Sequence, residues 1–500
     1  QTKGKLKKLA LLSKQILKSP FLSYLYLGFI GATSVLAFSP FNFKPIIVIS
    51  LSIFVAAIIN SENFWQAFKR SVAWGLGYWI AGTGWLIVSI YYYGNTSIII
   101  SISIILIMGS LLSIVFIAPF SIIKLLNIDA NLFIKSLVFA SLLTLLELLR
   151  FVLLGGFPWL LPGLVLLDTS GQNIIPILGV YGGSFILYFL SFVIALSFLN
   201  NQYRIFLITI LVLVIFLPQH NLTIFYPKES LSISIIQPSL DPFKKYVDGL
   251  HKNIEDVLVD LSGQQSNVDL LIWPESPLPY LHSSNQMANF NSRIDGLPEI
   301  LSGAWKYQDS SLYNTMTILS TDESYAKRHL VPFGEYVPFE NLLRGIIDFF
   351  DMPMSSISAG MPNQELLNTN NFKILGMICF DIAFPLSYIH QMREADFIVN
   401  ISNDTWFGNS YGPYQHLQIV RARALESNKW IARGTSDGIS TIVDNKGTIV
   451  SKISKGTKGA LNGRIYKTQE TSFFYEWGYS IIPLISLIMF MFMFVVRSRK

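Results

Sequence analysis

Cysteine is nearly absent from this chain. Its 500 residues hold one, Cys379. No intrachain disulfide can form, and a lone thiol kept where stray cysteines would be oxidised is free for chemistry. Charge is scarce too. Asp, Glu, Lys and Arg make up 14% of the residues, against about 25% in soluble domains, and the mean hydropathy is +0.47. That balance excludes a wholly soluble protein and points to a membrane protein with a water-facing part. Histidine is sparse, with 6 scattered residues and no short-spaced pair, so no metal site is expected. No glycine-rich phosphate loop is present and no cofactor is expected. The net charge of +6 is modest. Much of the excess lies at the ends, in Lys3, Lys5, Lys7 and Lys8 and in Arg497, Arg499 and Lys500. These read as contacts to anionic headgroups and as orientation signals, not as a nucleic-acid surface. Repeats and low-complexity tracts are also missing.

What the chain does have is long apolar runs. They predict about eight transmembrane helices, at 21–38, 45–60, 72–91, 97–123, 133–154, 174–199, 205–217 and 478–496. Most reach the roughly 20 residues a bilayer needs, and 45–60 and 205–217 are short. The first run leads straight into further spans, so no cleavable signal is expected. Lys69, Arg70, Lys124 and Arg204 lie in or beside alternate loops, whereas the opposite loop 92–96 has no charge. This positive-inside pattern puts both termini in the cytoplasm of a bacterial cell and the segment before the last span in the periplasm. The expected division is a membrane domain over 1–227 with seven helices, a periplasmic catalytic domain over 228–470, and a last helix with a basic tail over 471–500.

Within 228–470 the pattern changes to short strand-like runs at 231–236, 268–273, 315–319, 372–378, 397–401 and 440–443, with a helical pattern at 415–432. Strands alternating with helices predict an α/β domain. Three of its polar residues combine into chemistry. Cys379 ends the run Phe372-Lys-Ile-Leu-Gly-Met-Ile-Cys379. A thiol needs a base to become a nucleophile. Glu275, in Leu271-Ile-Trp-Pro-Glu275, supplies a carboxylate, and Lys327, in Tyr325-Ala-Lys327, supplies a cation for a developing oxyanion. Each alone is more often a surface charge or a buried inert thiol; the set of three is specific.

These residues, with His329-Leu-Val-Pro-Phe-Gly-Glu335-Tyr, resemble the Glu-Lys-Cys nitrilase superfamily, whose fold is an α-β-β-α sandwich. Within it the chain resembles the apolipoprotein N-acyltransferase family over nearly its whole length. The matching stretches in the membrane half are Leu36-Ala-Phe-Ser-Pro-Phe41, Gly75-Leu-Gly-Tyr-Trp79, Glu147-Leu-Leu-Arg150 and Gly156-Phe-Pro-Trp159. In the outer half they are Ser402-Asn-Asp-Thr-Trp-Phe-Gly408, Gly412-Pro-Tyr-Gln-His416 and Arg423-Ala-Leu-Glu426. The resemblance implies that Glu275 is the general base, Lys327 the transition-state cation and Cys379 the nucleophile. Glu335 is then a second carboxylate that orients Lys327 or shuttles a proton. It also implies an acyl donor, phosphatidylethanolamine, a diacylated apolipoprotein as acceptor, and transfer through a Cys379 thioester. Candidate substrate-binding positions are Phe157, Trp159, Tyr246, Phe380, Asn403 and Trp406. The chain departs from the family where Cys379-Phe380-Asp381 replaces Cys-Tyr-Glu and where Tyr246 replaces a tryptophan. The run Phe339–Met361 is apolar for a water-side segment and reads either as a buried amphipathic helix or as an arm entering the outer leaflet. A monomer is expected. The alternatives are a membrane-anchored nitrilase-like amidase, for which seven leading spans are excessive, and a non-catalytic scaffold, against which the intact Glu275, Lys327 and Cys379 speak.

Overall fold

The computed structural model describes residues 19–126, 128, 130–199, 211–219, 226–241, 247, 249–321, 323–337, 356–468 and 470–495. Two compact units share the chain. One comprises Gln1–Ile87, Ser97–His220 and Tyr479–Lys500; the other comprises Val88–Thr96 and Asn221–Gly478.

The first unit is a helical bundle. Among the described residues four helical stretches, Ile98–Leu125, Leu132–Val152, Ser170–Leu199 and Gly478–Val495, are long and apolar enough to cross a membrane. Shorter apolar helices run over Phe21–Ala37 and Ile46–Ile59. Polar residues start several of the helices. The side chains of Asn63, Ser97 and Asn131 each accept from the backbone N–H three positions on, at Gln66, Ile100 and Ile134, satisfying donors that a helix start leaves open. The third expected span, 72–91, differs from what the structure holds. Its helix starts earlier, at Phe64 behind the Asn63 cap, and ends at Thr83. After a break at Gly84 and Trp85 the chain continues as Leu86–Tyr93. Of the seventh span, 205–210 lies outside the described residues, and 211–215 is helical.

Small residues let the bundle close. A Cβ added to Gly77 would fall 1.8 Å from the carbonyl oxygen of Gly28, so helices Pro20–Thr33 and Phe64–Thr83 cross with backbones in contact. Two basic residues cap helix Ile46–Ile59: Arg70 donates to the Ala57 carbonyl at 2.9 Å and Lys124 to the Ile59 carbonyl at 3.0 Å. An ion pair is buried inside the unit. Arg150 lies 3.7 Å from Glu147, and Glu147 accepts from Ser184 and Tyr188. Arg150 also sits over the Trp79 ring. Intramembrane charges face a bundle interior for this reason, since lipid cannot pair them.

Among its described residues the second unit has twelve strands, numbered β1 to β12 in chain order, in two sheets of six ordered β12-β1-β2-β3-β4-β5 and β11-β10-β9-β8-β7-β6. Strands β1 (Ser230–Gln237), β2 (Leu270–Ile272) and β3 (Glu299–Gln308) are parallel, and antiparallel β4 (Ser311–Ile318) and β5 (Ser324–Ala326) follow. In the second sheet β7 (Phe372–Ile378), β8 (Phe397–Ser402) and β9 (Ile431–Thr435) are parallel. Antiparallel β6 (Leu367–Thr369), β10 (Ser440–Val443) and β11 (Ile449–Ile453) complete it, while β12 (Gly459–Tyr466) closes the first sheet beside β1. The two sheets pack face to face, as Gly434 of β9 against Ile235 and Ile272 shows. Helix His251–Gly263 covers the first sheet, with Ile254, Leu258 and Leu261 on Ile236, Leu271 and Trp273. The result is the expected α/β domain, two sheets face to face with a helix over the first.

The expected helix over 415–432 instead spans Gly412–Ser427. Asn428 takes a left-handed conformation, φ +59°, and turns the chain into β9. Asparagine tolerates that backbone better than most residues. Of the run Phe339–Met361, residues 339–355 lie outside the described residues.

Candidate active site

Polar residues gather beyond the carboxyl ends of the strands, where open α/β sheets place their ligands. Lys327 directly follows β5, Cys379 follows β7 and Asn403 follows β8; Glu275 comes three residues after β2. The turn carrying Glu275 is pressed against β3, with the Gly303 N–H donating to the Pro274 carbonyl at 3.1 Å. A Cβ on Gly303 would lie 2.2 Å from the Ser276 nitrogen and 2.8 Å from the Glu275 Cα. Only glycine allows the carboxylate to stand there.

Lys327 is the centre of the cluster. Its Nζ, buried at 1% exposure, donates to Glu275 Oε1 at 3.2 Å and to Glu335 Oε1 at 2.8 Å. Asn314 of β4 joins the same two oxygens, donating to Glu275 at 2.7 Å and to Glu335 at 3.4 Å. Its own carbonyl accepts from Ser276. The remaining carboxylate oxygens are held by main chain: Asn403 N–H donates to Glu275 Oε2 at 2.9 Å and Val331 N–H to Glu335 Oε2 at 2.8 Å. An ammonium has three protons, so two carboxylates leave it one for a third acceptor. Burial alone would lower the Lys327 pKa, but Glu275, Glu335 and Cys379 outweigh it and hold the amine well above its ordinary value. It stays charged at every physiological pH.

Cys379 opens a short 3₁₀ turn at the end of β7, with φ +49°. A non-glycine residue held left-handed costs about 1–3 kcal/mol and persists only where its surroundings impose it. Asp381 supplies part of that constraint. It accepts from the Ile378 N–H at 3.1 Å, the His329 N–H at 2.8 Å and the Tyr325 hydroxyl at 2.9 Å. The shorter acid that departs from the family pattern thus ties the turn to the segment following Lys327. Burial raises the Asp381 pKa, with Lys327 and these donors opposing. Burial likewise pushes the His329 pKa down to about 3, helped by Arg328, so that ring is neutral.

Cys379 keeps partial exposure, yet burial pushes its thiol up and Glu275 and Asp404 push it further, while Lys327 and the Ser402 hydroxyl pull it back. The net shift is upward, so the resting group is a thiol. A thiol, carboxylates and an ammonium within one buried cluster are what nucleophilic acyl chemistry requires. Among the described residues no three His, Cys, Asp or Glu side chains are grouped to hold a metal ion.

Glu275, Lys327, Glu335 and Asn403 therefore meet through hydrogen bonds, and Cys379 lies within their field. Phe380 is buried and packs edge-on to Phe384. Trp406 stands on the 3₁₀ turn Asp404–Phe407, but its carbonyl accepts from Ser89 at 2.7 Å and its ring meets Tyr93. Phe157 and Trp159 belong to the bundle unit, where they stack on each other and Trp159 packs against Trp85 at 3% exposure. Tyr246 lies outside the described residues. Sequence reasoning missed Asn314 and Arg433. Asn314 directly precedes the strand-like run 315–319 and Arg433 follows the helical pattern 415–432, so the sequence pattern marked neither.

Two outcomes follow from this geometry. Thiolate absorbance, taken as wild type minus Cys379→Ala across a pH series, should rise with a midpoint above the ~8.5 of a free thiol. A midpoint below it would mean that Lys327 outweighs burial. Gly303→Ala should displace Glu275 and slow turnover by on the order of 10²-fold, with Cys379 still open to alkylation; a wild-type rate would show that β3 yields instead.

Two family models match the chain. The apolipoprotein N-acyltransferase N-terminal domain covers residues 30–193, and carbon-nitrogen hydrolase covers residues 235–471. The apolipoprotein N-acyltransferase of Pseudomonas aeruginosa is 32% identical over 499 residues, which is 94% of this chain and 94% of that protein. That of Pseudomonas syringae pv. tomato is 31% identical over 482 residues, covering 92% and 94%. That of Vibrio parahaemolyticus is 30% identical over 482 residues, covering 90% and 92%. Among solved structures, a CN-hydrolase superfamily protein from Xanthomonas campestris is 18% identical, covers 51% of this chain and 96% of its own, and superposes with a TM-score of 0.36. Matched over 90–94% of its length by apolipoprotein N-acyltransferases at least 30% identical to it, the chain belongs to the apolipoprotein N-acyltransferase family.

Proposed function

We propose that this protein transfers an acyl chain from phosphatidylethanolamine to the N-terminal α-amine of diacylglyceryl-cysteine on apolipoproteins, through a thioester on Cys379. The observation that carries this reading is the meeting of Glu275, Lys327 and Glu335 beside the left-handed Cys379 turn, in a chain of this family. Glu275 takes the thiol proton as sulfur attacks the ester carbonyl. Lys327 stabilises the oxyanion with the proton its two carboxylates leave over. The tetrahedral intermediate collapses, Glu275 returns the proton to the departing glycerol oxygen, and lysophospholipid leaves. The α-amine then attacks the thioester, Glu275 accepts its proton, and the thiol is restored as the amide forms. Glu335 holds Lys327 between the two halves of the reaction.

The raised thiol pKa supports proton removal during attack rather than before it. A permanent thiolate is unnecessary when the base lies in the same cluster. The bundle fits substrates that keep their chains in lipid, and burial around the thioester would slow its hydrolysis. The full reading is a monomer of the bacterial inner membrane with eight spans, both termini cytoplasmic and the catalytic domain, 228–470, in the periplasm.

The test is an intact-mass measurement on purified protein given phosphatidylethanolamine alone, with Cys379→Ala beside it. A gain of one acyl chain is expected, absent in the variant and discharged by a diacylated lipopeptide. No adduct on folded, active protein would withdraw the thioester route. Hydrolysis of small amides without phospholipid would favour an amidase instead. Lys327→Met should fold but acylate about 10²–10³-fold more slowly, as when other oxyanion donors are lost; a wild-type rate would remove Lys327 from that role.

A further inference from the structure

His416 lies in helix Gly412–Ser427 at 1% exposure, and both its ring nitrogens are engaged. Nε2 is 3.1 Å from the Cys379 carbonyl oxygen. Nδ1 is 3.1 Å from Arg433 Nη2 and 3.1 Å from Asp404 Oδ1. A carbonyl can only accept and a guanidinium can only donate. The proton therefore sits on Nε2 and the lone pair of Nδ1 faces Arg433. Asp404 takes its protons elsewhere, from Arg433 Nη2 at 2.6 Å and from the Ser402 hydroxyl at 2.7 Å. Burial, together with Arg433, keeps the ring below its ordinary pKa, in keeping with a neutral imidazole.

The same arginine reaches the strand before the thiol. Arg433 donates to Asn400, and Asn400 donates to the Met377 carbonyl at 3.0 Å. The network thus holds two carbonyls of one short stretch, Met377 at the end of β7 and Cys379 in the left-handed turn. A structural histidine would satisfy itself anywhere in the core; this one is bonded to the main chain of the residue that carries the sulfur.

We propose that His416 is a positioning residue for the acyl transfer: its Nε2–H, donated to the Cys379 carbonyl, holds the thiol turn in the left-handed conformation that presents the sulfur, while Arg433 and Asp404 fix the ring. The inference rests on the reading of Cys379 as the nucleophile. It assigns His416 no contact with substrate.

Two amides separate the roles. Asn can replace Nδ1 as an acceptor for Arg433 but is too short to reach Cys379, whereas Gln extends its amide N–H to the place of Nε2. The rate of acyl-enzyme formation from phosphatidylethanolamine vesicles, its dependence on lipid concentration and the melting temperature would be measured on the full-length protein. His416→Asn should acylate about 10–10²-fold more slowly at saturating lipid, with half-saturation unchanged. His416→Gln should recover most of that rate at a similar melting temperature. Equal rates in the two variants, whether both fast or both slow, would overturn the proposal, as would loss of fold in both. Absence of the Cys379 adduct in the wild type would be a different failure, that of the nucleophile itself.

Discussion

Two buried carboxylates share one buried ammonium, and the chemistry of the site depends on that arrangement. An unpaired lysine at the depth of Lys327 would lose its proton or unfold its surroundings, because removing one partner from a buried pair leaves an uncompensated charge. Glu275 and Glu335 prevent this from two sides, and Asn314 spans them so that neither carboxylate can turn towards solvent. The cluster carries one more negative charge than positive. The two carboxylates hold the proton on Lys327 against its burial, while burial first, and Glu275 and Asp404 after it, keep Cys379 from ionising.

The backbone around the sulfur meets the opposite demand, since it must be held in a conformation it would not choose. Cys379 is left-handed, and the groups on either side of it are tied down: the Ile378 N–H by Asp381 within the turn, the Cys379 carbonyl by His416 from a neighbouring helix. Strain of this kind survives only where several independent contacts agree. The turn Asp404–Phe407 and its leading residue contribute to both demands, with Asn403 holding Glu275 and Asp404 holding Arg433.

Much of this was legible in the chain. Phe372–Ile378 reads as a strand because it is a short apolar run of seven residues, and Cys379 stands out because no other cysteine competes for attention. Glu275 and Lys327 were legible for the same reason, each closing an apolar run. Other features were hidden by physics that a linear pattern does not carry. The hydropathy of 72–91 continues across Gly84 and Trp85, so the break after Thr83 leaves no trace in it. Trp430-Ile-Ala prolongs the apolar pattern of the preceding helix, yet Asn428 reverses the chain into β9. β12, Gly459-Ala-Leu-Asn-Gly-Arg-Ile-Tyr, has little strand character of its own and becomes a strand by pairing with β1 along its full length. Asn314 gave no sign of its role because its partners lie 21 and 39 residues away in the chain.

The catalytic unit is not one continuous stretch of chain. It includes Val88–Thr96, which the sequence delivers between two bundle helices, and Ser89 and Tyr93 from that piece fasten Trp406, in the turn whose Asp404 holds Arg433 and whose leading residue Asn403 holds Glu275. A soluble enzyme cut out at the apparent domain boundary would leave this piece behind and strip the support from that turn. The bundle and the hydrolase-like fold are therefore not interchangeable modules. Exchanging the bundle for one whose connecting piece lacks counterparts of Ser89 and Tyr93 would unfasten Trp406.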